Sequence, residues 1–421
     1  MSESPRFSVI VAAFNAAHWI VPTVRSALAQ TRAACEIIVV GDGCTDATGE
    51  VLARHFGTAV RWTNLERNHG GQSFPNNEGI RLAGGSHIAY LGHDDIWSPR
   101  HLEALATIVR AQDRDFAVSG AVYHGPPGSR YYQVTGLFDD PRAAQSEFFP
   151  PSSFAHRRGV VERIGPWRDP RELKAPADCE FLLRAVAQGC SFASTGTITV
   201  HKFAAGHRYL SYRFPSAEEQ ERMLERLSAP GGEDAVLAEI ERDIAGGADH
   251  VPIRYPDFGQ VDAGALFHGN RRIKGLESGP PVAVEGACAF PVEAFAAGLD
   301  WHPLQTDGRG RPFRWSGPNP NPRHRLDVRT TASCMLRIHV LDFARAELAD
   351  ALAIEIEGRE VPFARGREAD GTFLLTLGPL GPIDSDLVLR FRTPRCASLR
   401  RDSGRIRAGL ALSSVEIEPL G

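Results

Sequence analysis

Phe7–Phe14 reads FSVIVAAF and Glu36–Val40 reads EIIVV. Both stretches are short, rich in β-branched residues and almost unbroken in apolar character, as strands buried on both faces of a parallel sheet are. Between them Ile20, Val24, Ala27 and Leu28 recur at helical spacing. After the second stretch the turn Gly41–Asp46 (GDGCTD) leads into Val51, Leu52 and Phe56, a second helix. His87–Leu91 (HIAYL) is a further strand, followed by Gly92–Trp97 (GHDDIW). Ser98-Pro99 then reads as an N-cap with proline at the first helical position, opening a helix through Leu102, Leu105 and Val109. Phe116–Val122 is another strand, and Cys179–Gln188 a helix that Gly189 terminates. This alternation predicts an α/β domain over residues 1–228 built on a central, mostly parallel sheet.

Beyond it, Ser216–Leu227 and Asp234–Ile244 read as charged helices, and 229–299 is assigned only as a helical or irregular connector. From residue 300 to 421 the pattern changes. Leu336, Ile338 and Val340 alternate with polar neighbours, as do Ile354 and Ile356, and short strands follow at Phe373–Leu377, Leu387–Phe391 and Leu410–Ile417. Such strands among frequent Gly/Pro turns predict an all-β sandwich.

At 421 residues the chain allows roughly two to four domains at about 100–200 residues each. Forty-seven basic against 51 acidic residues leave a net charge of −4, so no global field recruits nucleic acid. No apolar run reaches the ~18 residues of a membrane span, and the start MSESPRFSVIVAAFN lacks the basic-then-apolar order of a secretory signal. Seven scattered cysteines without a CxxC argue against a disulfide framework and for a reducing, cytoplasmic setting.

In an open parallel sheet, ligands gather beyond the carboxyl ends of the strands. Those ends deliver Ala13-Phe14-Asn15, then Gly41-Asp42, then His93-Asp94-Asp95. An aromatic–amide pair and several carboxylates suit a nucleotide diphosphate and a hard divalent cation. Asp46 reads as the cap of the helix behind it, which leaves Asp42 for a ligand. Adjacent acids at 94 and 95 repel unless a cation lies near them. His69-Gly70-Gly71 reads as a turn that could also cradle phosphate, and Asn76-Asn77 as a cap or a ligand contact. Asp178 sits where acids favour a helix N-terminus, and composition alone makes it a structural acid.

Taken in order, VIVAAFN, VVGDGCTD, NHGGQSFPNNEGIRLAGGSHIAYLGHDDIW and ADCEFLLR resemble the family 2 glycosyltransferases of GT-A fold, over roughly the first half of the chain. The resemblance implies an inverting transfer of a sugar from a nucleotide-diphosphate donor (UDP-, GDP- or dTDP-linked) to a hydroxyl of a glycan or lipid-linked acceptor, in cell-surface polysaccharide synthesis. It implies Mg²⁺ or Mn²⁺ as cofactor and makes Asp178 the general base. Ala13, Phe14, Asn15, Asp42, Gly71, Asn77 and Asp94 are then the nucleotide-binding candidates, and Asp94, Asp95 and His201 the metal ligands. Arg208 is a candidate phosphate or acceptor contact. The sequence departs from the family where Gly92 replaces the first acid of an acid-x-acid motif, and at Ala177, where the family often has Glu. The setting implied is cytoplasmic, with the inner membrane face as the place of any peripheral association. A catalytically lapsed glycan-binding or scaffold protein is the alternative that Gly92, Ala177 and the large β module support. In that β module, Trp301 and Trp315 are candidates for stacking on a glycan, with a place in the core as their ordinary use.

Overall fold

The computed structural model describes residues 4–125, 131–205, 208, 210–245, 249–252, 261–292, 300–317, 319, 321–384, 386–401 and 404–420. The chain divides into two compact units. One takes Met1–His124, Tyr132–Ala204 and Pro215–Arg271, and the other Gly125–Tyr131, Ala205–Phe214 and Arg272–Gly421. The segment read as a connector is thus shared between them at Arg271 and Arg272.

The first unit opens β1 (Phe7–Ala13), α1 (Ile20–Leu28), β2 (Glu36–Gly41), α2 (Thr48–Phe56), β3 (Arg61–Asn64), α3 (Ser73–Leu82) and β4 (His87–Tyr90). It continues with β5 (Ile96–Trp97), α4 (His101–Gln112), β6 (Phe116–His124), β7 (Tyr131–Thr135), β8 (Phe154–Arg157), α5 (Val160–Ile164), α6 (Ala177–Ala187) and β9 (Phe192–Lys202). Helices α7 (Glu218–Ser228) and α8 (Gly232–Ala245), strand β10 (Asp249–Pro252) and helix α9 (Ala265–Lys274) come next. The sheet order is β10-β7-β6-β8-β4-β1-β2-β3, with β9 beside β6 and β5 beside β9.

The apolar runs at 7–13 and 36–41 form the parallel centre, β3-β2-β1-β4. In the other half the strands are mixed: β8 is antiparallel to both β4 and β6, while β9 runs parallel to β6. Register aligns the strand ends. Ala13 pairs with Gly41, and Ile10 with Tyr90, so β1, β2 and β4 all finish on one edge of the sheet. Behind that edge Ile10, Ile38, Val40, Ile88, Phe116, Phe154, Phe181 and Phe192 share one apolar core.

Two expectations shift. The two-residue strand β5 has too few positions for any periodicity and was not legible. Helix α4 starts at His101 rather than at Pro99. Ser98 lies in the turn before it, where its carbonyl accepts from His101 N at 3.1 Å and from Gln30 Nε2 at 2.9 Å.

The second unit is the predicted sandwich. A seven-stranded sheet built around Cys334–Phe343, Phe373–Leu380 and Leu410–Pro419 shares one core with a four-stranded sheet of Arg323–Leu326, Leu387–Arg392, Ala353–Ile356 and Arg359–Glu360. Leu336, Ile338 and Leu412 meet Ile354, Leu389 and Phe391 there. Trp301 and Trp315 are only 4% and 3% exposed. Trp301 packs edge-on against Phe391 and donates its indole N–H to the Arg323 carbonyl at 2.7 Å, while Trp315 packs against Phe313. Neither offers a free ring face to a glycan.

Helix α3 is pressed onto β1 at Gly79, where a Cβ would stand 2.4 Å from Ile10 Cγ2. Gly79→Ala should therefore overpack the centre of the sheet and cost about 1–3 kcal/mol. Thermal unfolding should show a clear drop in Tm; an unchanged Tm would contradict this packing.

Candidate active site

Asn15 follows β1 with φ at +44°, a left-handed backbone that Asn tolerates better than most residues. Its amide oxygen accepts from Thr45 N at 2.9 Å, tying the end of β1 to the turn after β2. The Ala13 carbonyl accepts from Asp42 N at 2.7 Å, and Phe14, next in sequence, is half-buried. The N-cap of α2 is Ala47 rather than Asp46; from one residue earlier the Asp46 carboxylate accepts from Thr48 N and, across the turn, from Ala17 N, both at 3.1 Å.

Asp42 is 3% exposed, and its carboxylate organises the loop at 68–70. One oxygen accepts from His69 N at 3.0 Å and lies 3.0 Å from His69 Nδ1. The other accepts from Asn68 Nδ2 at 3.0 Å and Gly70 N at 2.9 Å. Gly70 (φ +85°) has no room for a side chain, since a Cβ would meet the Phe267 ring of α9 at 2.4 Å. Gly71 lies against Pro170. Asn77 spends its side-chain amide on Trp167, donating to the carbonyl and accepting from N–H, both at 2.9 Å. This pair of bonds to the backbone is a structural use that spacing could not distinguish from ligand contact.

The same loop leads to Gln72, whose side chain hydrogen-bonds Asp178. Asp178 occupies the first turn of α6, and its Oδ1 accepts from Cys179 N at 2.9 Å. Burial pushes the Asp178 carboxyl above the usual range; the helix N–H groups, the Lys202 charge and Gln72 pull the other way. Glu180 and Arg184, one turn further on, bind each other at 2.8 Å. Arg184 also donates to the carbonyls of Ile164, Gly165 and Pro166, so this pair pins α6 to the preceding loop.

The acidic turn comes after β4. Asp95 N donates to the Gly92 carbonyl at 3.0 Å, and Gly92 N donates to Ser152 Oγ at 3.0 Å. Thr23 Oγ1 donates to the His93 and Asp95 carbonyls at 3.0 and 2.9 Å, and Gln220 Nε2 to the Asp94 carbonyl at 3.1 Å. Asp95 is 1% exposed, and its Oδ2 accepts from Ser152 Oγ at 2.5 Å and from the Lys202 ammonium. Burial drives its carboxyl upward, and Lys202 opposes that. Asp94 is half-buried at the rim.

His201, expected among the metal ligands, is fully buried and faces elsewhere. Its Nε2 lies 3.2 Å from Ser98 Oγ and its Nδ1 3.1 Å from His124 Nε2, and burial lowers its pKa to about 3. Side chains alternate along a strand, so the neighbour of His201 is the one that faces the acids. That neighbour is Lys202. Tyr123 pairs with Lys202 in register on β6, and the Lys202 ammonium sits 5.5 Å over its ring. The Tyr123 phenol is kept protonated by burial first, then by the charges of Asp178, Asp95, Cys179 and Asp94. Tyr123, Lys202, Ser152 and Gln72 were all missed from sequence.

These positions do not fit a divalent ion held by the protein. Among the described residues no three His, Cys, Asp or Glu side chains are placed so that together they could hold a metal ion. Asp95 is taken by Lys202 and Ser152, and His201 is turned away. At Gly92 a Cβ would stand 2.6 Å from Asp95 Oδ2 and 3.3 Å from Asp94 Oδ1, so an acid there would require the Asp95 carboxylate to shift. Arg208 belongs to the second unit, where its carbonyl accepts from Arg323 Nη1 at 2.9 Å.

The ends of three parallel strands thus carry a carboxylate turn whose Asp95 meets the partly buried Lys202. Residues 8–164 match the family model "Glycosyl transferase family 2". An uncharacterized glycosyltransferase of Nostoc sp. is 28% identical over 176 residues, which are 38% of this chain and 53% of the relative. Glycosyltransferase GlyG of Streptococcus pneumoniae is 33% identical over 135 residues, 32% of this chain and 45% of GlyG. The matched regions span about half or less of these relatives. Among solved structures, S. aureus TarS 1–349 aligns at 20% identity and a TM-score of 0.40, over 57% of this chain and 72% of that one.

Asp42→Asn would set an amide N–H₂ against the loop's own donors. Stability should fall by about 1–3 kcal/mol, and hydrogen exchange at His69 and Gly70 should accelerate. Unchanged protection of those two amides would show that Asp42 does not hold the loop.

Proposed function

We propose that the chain is an inverting glycosyltransferase that moves a sugar from a nucleotide-diphosphate donor to an acceptor hydroxyl, with Asp178 as general base. The observation that carries this is the meeting of Asp178, Asp94, Asp95, Tyr123 and Lys202 at the end of the strands. Asp42 belongs to the same assembly through loop 68–70 and Gln72. The family domain over 8–164 supports the reaction class. The base, the sugar and the acceptor stay at the level of chemistry: a nucleoside diphosphate leaving group and a hydroxyl of a glycan or lipid-linked glycan, in the building of a cell-surface polymer.

The mechanism is set by where charge moves. As the bond from C1 to the diphosphate oxygen breaks, its electron pair goes to the diphosphate and C1 becomes oxocarbenium-like. The acceptor oxygen attacks from the opposite face and gives up its proton to the Asp178 carboxylate. A base works best with a pKa approaching the working pH, and burial at the helix end shifts Asp178 in that direction. The helix N–H groups and the Lys202 charge oppose that shift by favouring the carboxylate.

Asp178→Asn should lower turnover by roughly 10²–10⁴-fold, the range of general-base catalysis, while donor binding survives. Measured turnover near the original would remove Asp178 from this role. The base acts only when deprotonated, so its raised pKa puts the fall in kcat/KM at a higher pH than a free carboxyl, above about 4. A profile flat down to pH 4 would contradict the burial argument.

A further inference from the structure

The acidic turn is built with its own cation. Lys202 closes on Asp95 from β9 while Ser152 closes on the same oxygen from the other side. The lysine side chain is 16% exposed, and its ammonium lies across the Tyr123 ring, which limits where it can go. Gly92 matters for the same reason. Its missing side chain leaves the space into which the Asp95 carboxylate turns, and any Cβ there would collide with it. Glycine at 92, lysine at 202 and serine at 152 are therefore three parts of one arrangement, in which an ammonium is held against the acidic turn by Asp95. The charge of Lys202 reaches both Asp95 and Asp178.

We propose that the Lys202 ammonium supplies, at the donor's diphosphate, the positive charge that the family resemblance assigns to Mg²⁺ or Mn²⁺, so that donor binding and transfer do not require a metal. The inference rests on the glycosyltransferase reading above. When the C1–oxygen bond breaks, the electron pair stays on the diphosphate beside Lys202. The lysine keeps its proton throughout, and the acceptor's proton goes to Asp178. Lysine serves such a site as a point charge that needs no fixed geometry.

Thermal shift with UDP, GDP and dTDP, each with EDTA or with Mn²⁺, tests this directly, because a ligand that binds only the folded state raises Tm. At least one diphosphate should raise Tm equally in EDTA and in Mn²⁺. Lys202→Met should lose that shift and lower turnover by roughly 10²-fold, as loss of a charge-stabilising donor does, and Lys202→Arg should retain most of both. Lys202→Met leaves Asp95 buried without its partner, so the Asp95→Asn/Lys202→Met double variant guards against simple unfolding and should lose the shift as well. A shift that vanishes in EDTA and returns with Mn²⁺, or one that survives in both methionine variants, overturns the inference while leaving the transferase reading standing. No shift with any of the three nucleotides, with or without metal, overturns both.

Discussion

Burial of the Asp95 carboxylate is the constraint to which the first unit is fitted. An acid so nearly removed from water is tolerated only when it is paired and hydrogen-bonded. Ser152, arriving just before β8, and Lys202, at the end of β9, meet that requirement from two distant parts of the chain. In doing so they fix the turn that β4 delivers, and Thr23 and Gln220 hold its backbone from α1 and α7. Asp42 does the corresponding work on the other flank. It orders a loop of Asn, His and Gly that leads to Gln72 and so to Asp178.

Much of this was readable in advance because it rests on burial. Strands covered on both faces must be apolar throughout, so 7–13 and 36–41 declare themselves, and the polar residues just beyond them are where parallel strands put their chemistry. The sandwich was legible for the complementary reason: one covered face imposes alternation, as at Leu336, Ile338 and Val340. Strand β5 escaped because two residues have no period. The mixed half of the sheet escaped because strand direction is set by tertiary connection and leaves no mark on composition.

At the site, residue type was a good guide and partner choice a poor one. Asp94 and Asp95 follow β4 as the strand ends suggest, whereas Asp178, a structural acid by composition, stands at the start of α6 and was singled out only by the resemblance. Asn77 and His201 do not join them, since an amide or an imidazole serves a backbone or a buried hydroxyl as readily as a ligand. The parity of β9 decides between His201 and Lys202, and parity is visible only once the strand is known to lie with one face toward the acids. Family resemblance drew attention to metal ligation, whereas the side chains around Gly92 are arranged around an ammonium.

The central claim is that one edge of one sheet holds leaving group and base on opposite faces of the same sugar. A crystal structure with a non-hydrolysable nucleotide-sugar analogue examines it most directly. The account predicts the diphosphate beside Lys202 and the Asp178 carboxylate facing C1 from the far side, with room for one hydroxyl between them. A nucleotide bound away from the Gly92–Asp95 turn, or a sugar whose C1 turns its back on Asp178, would contradict it.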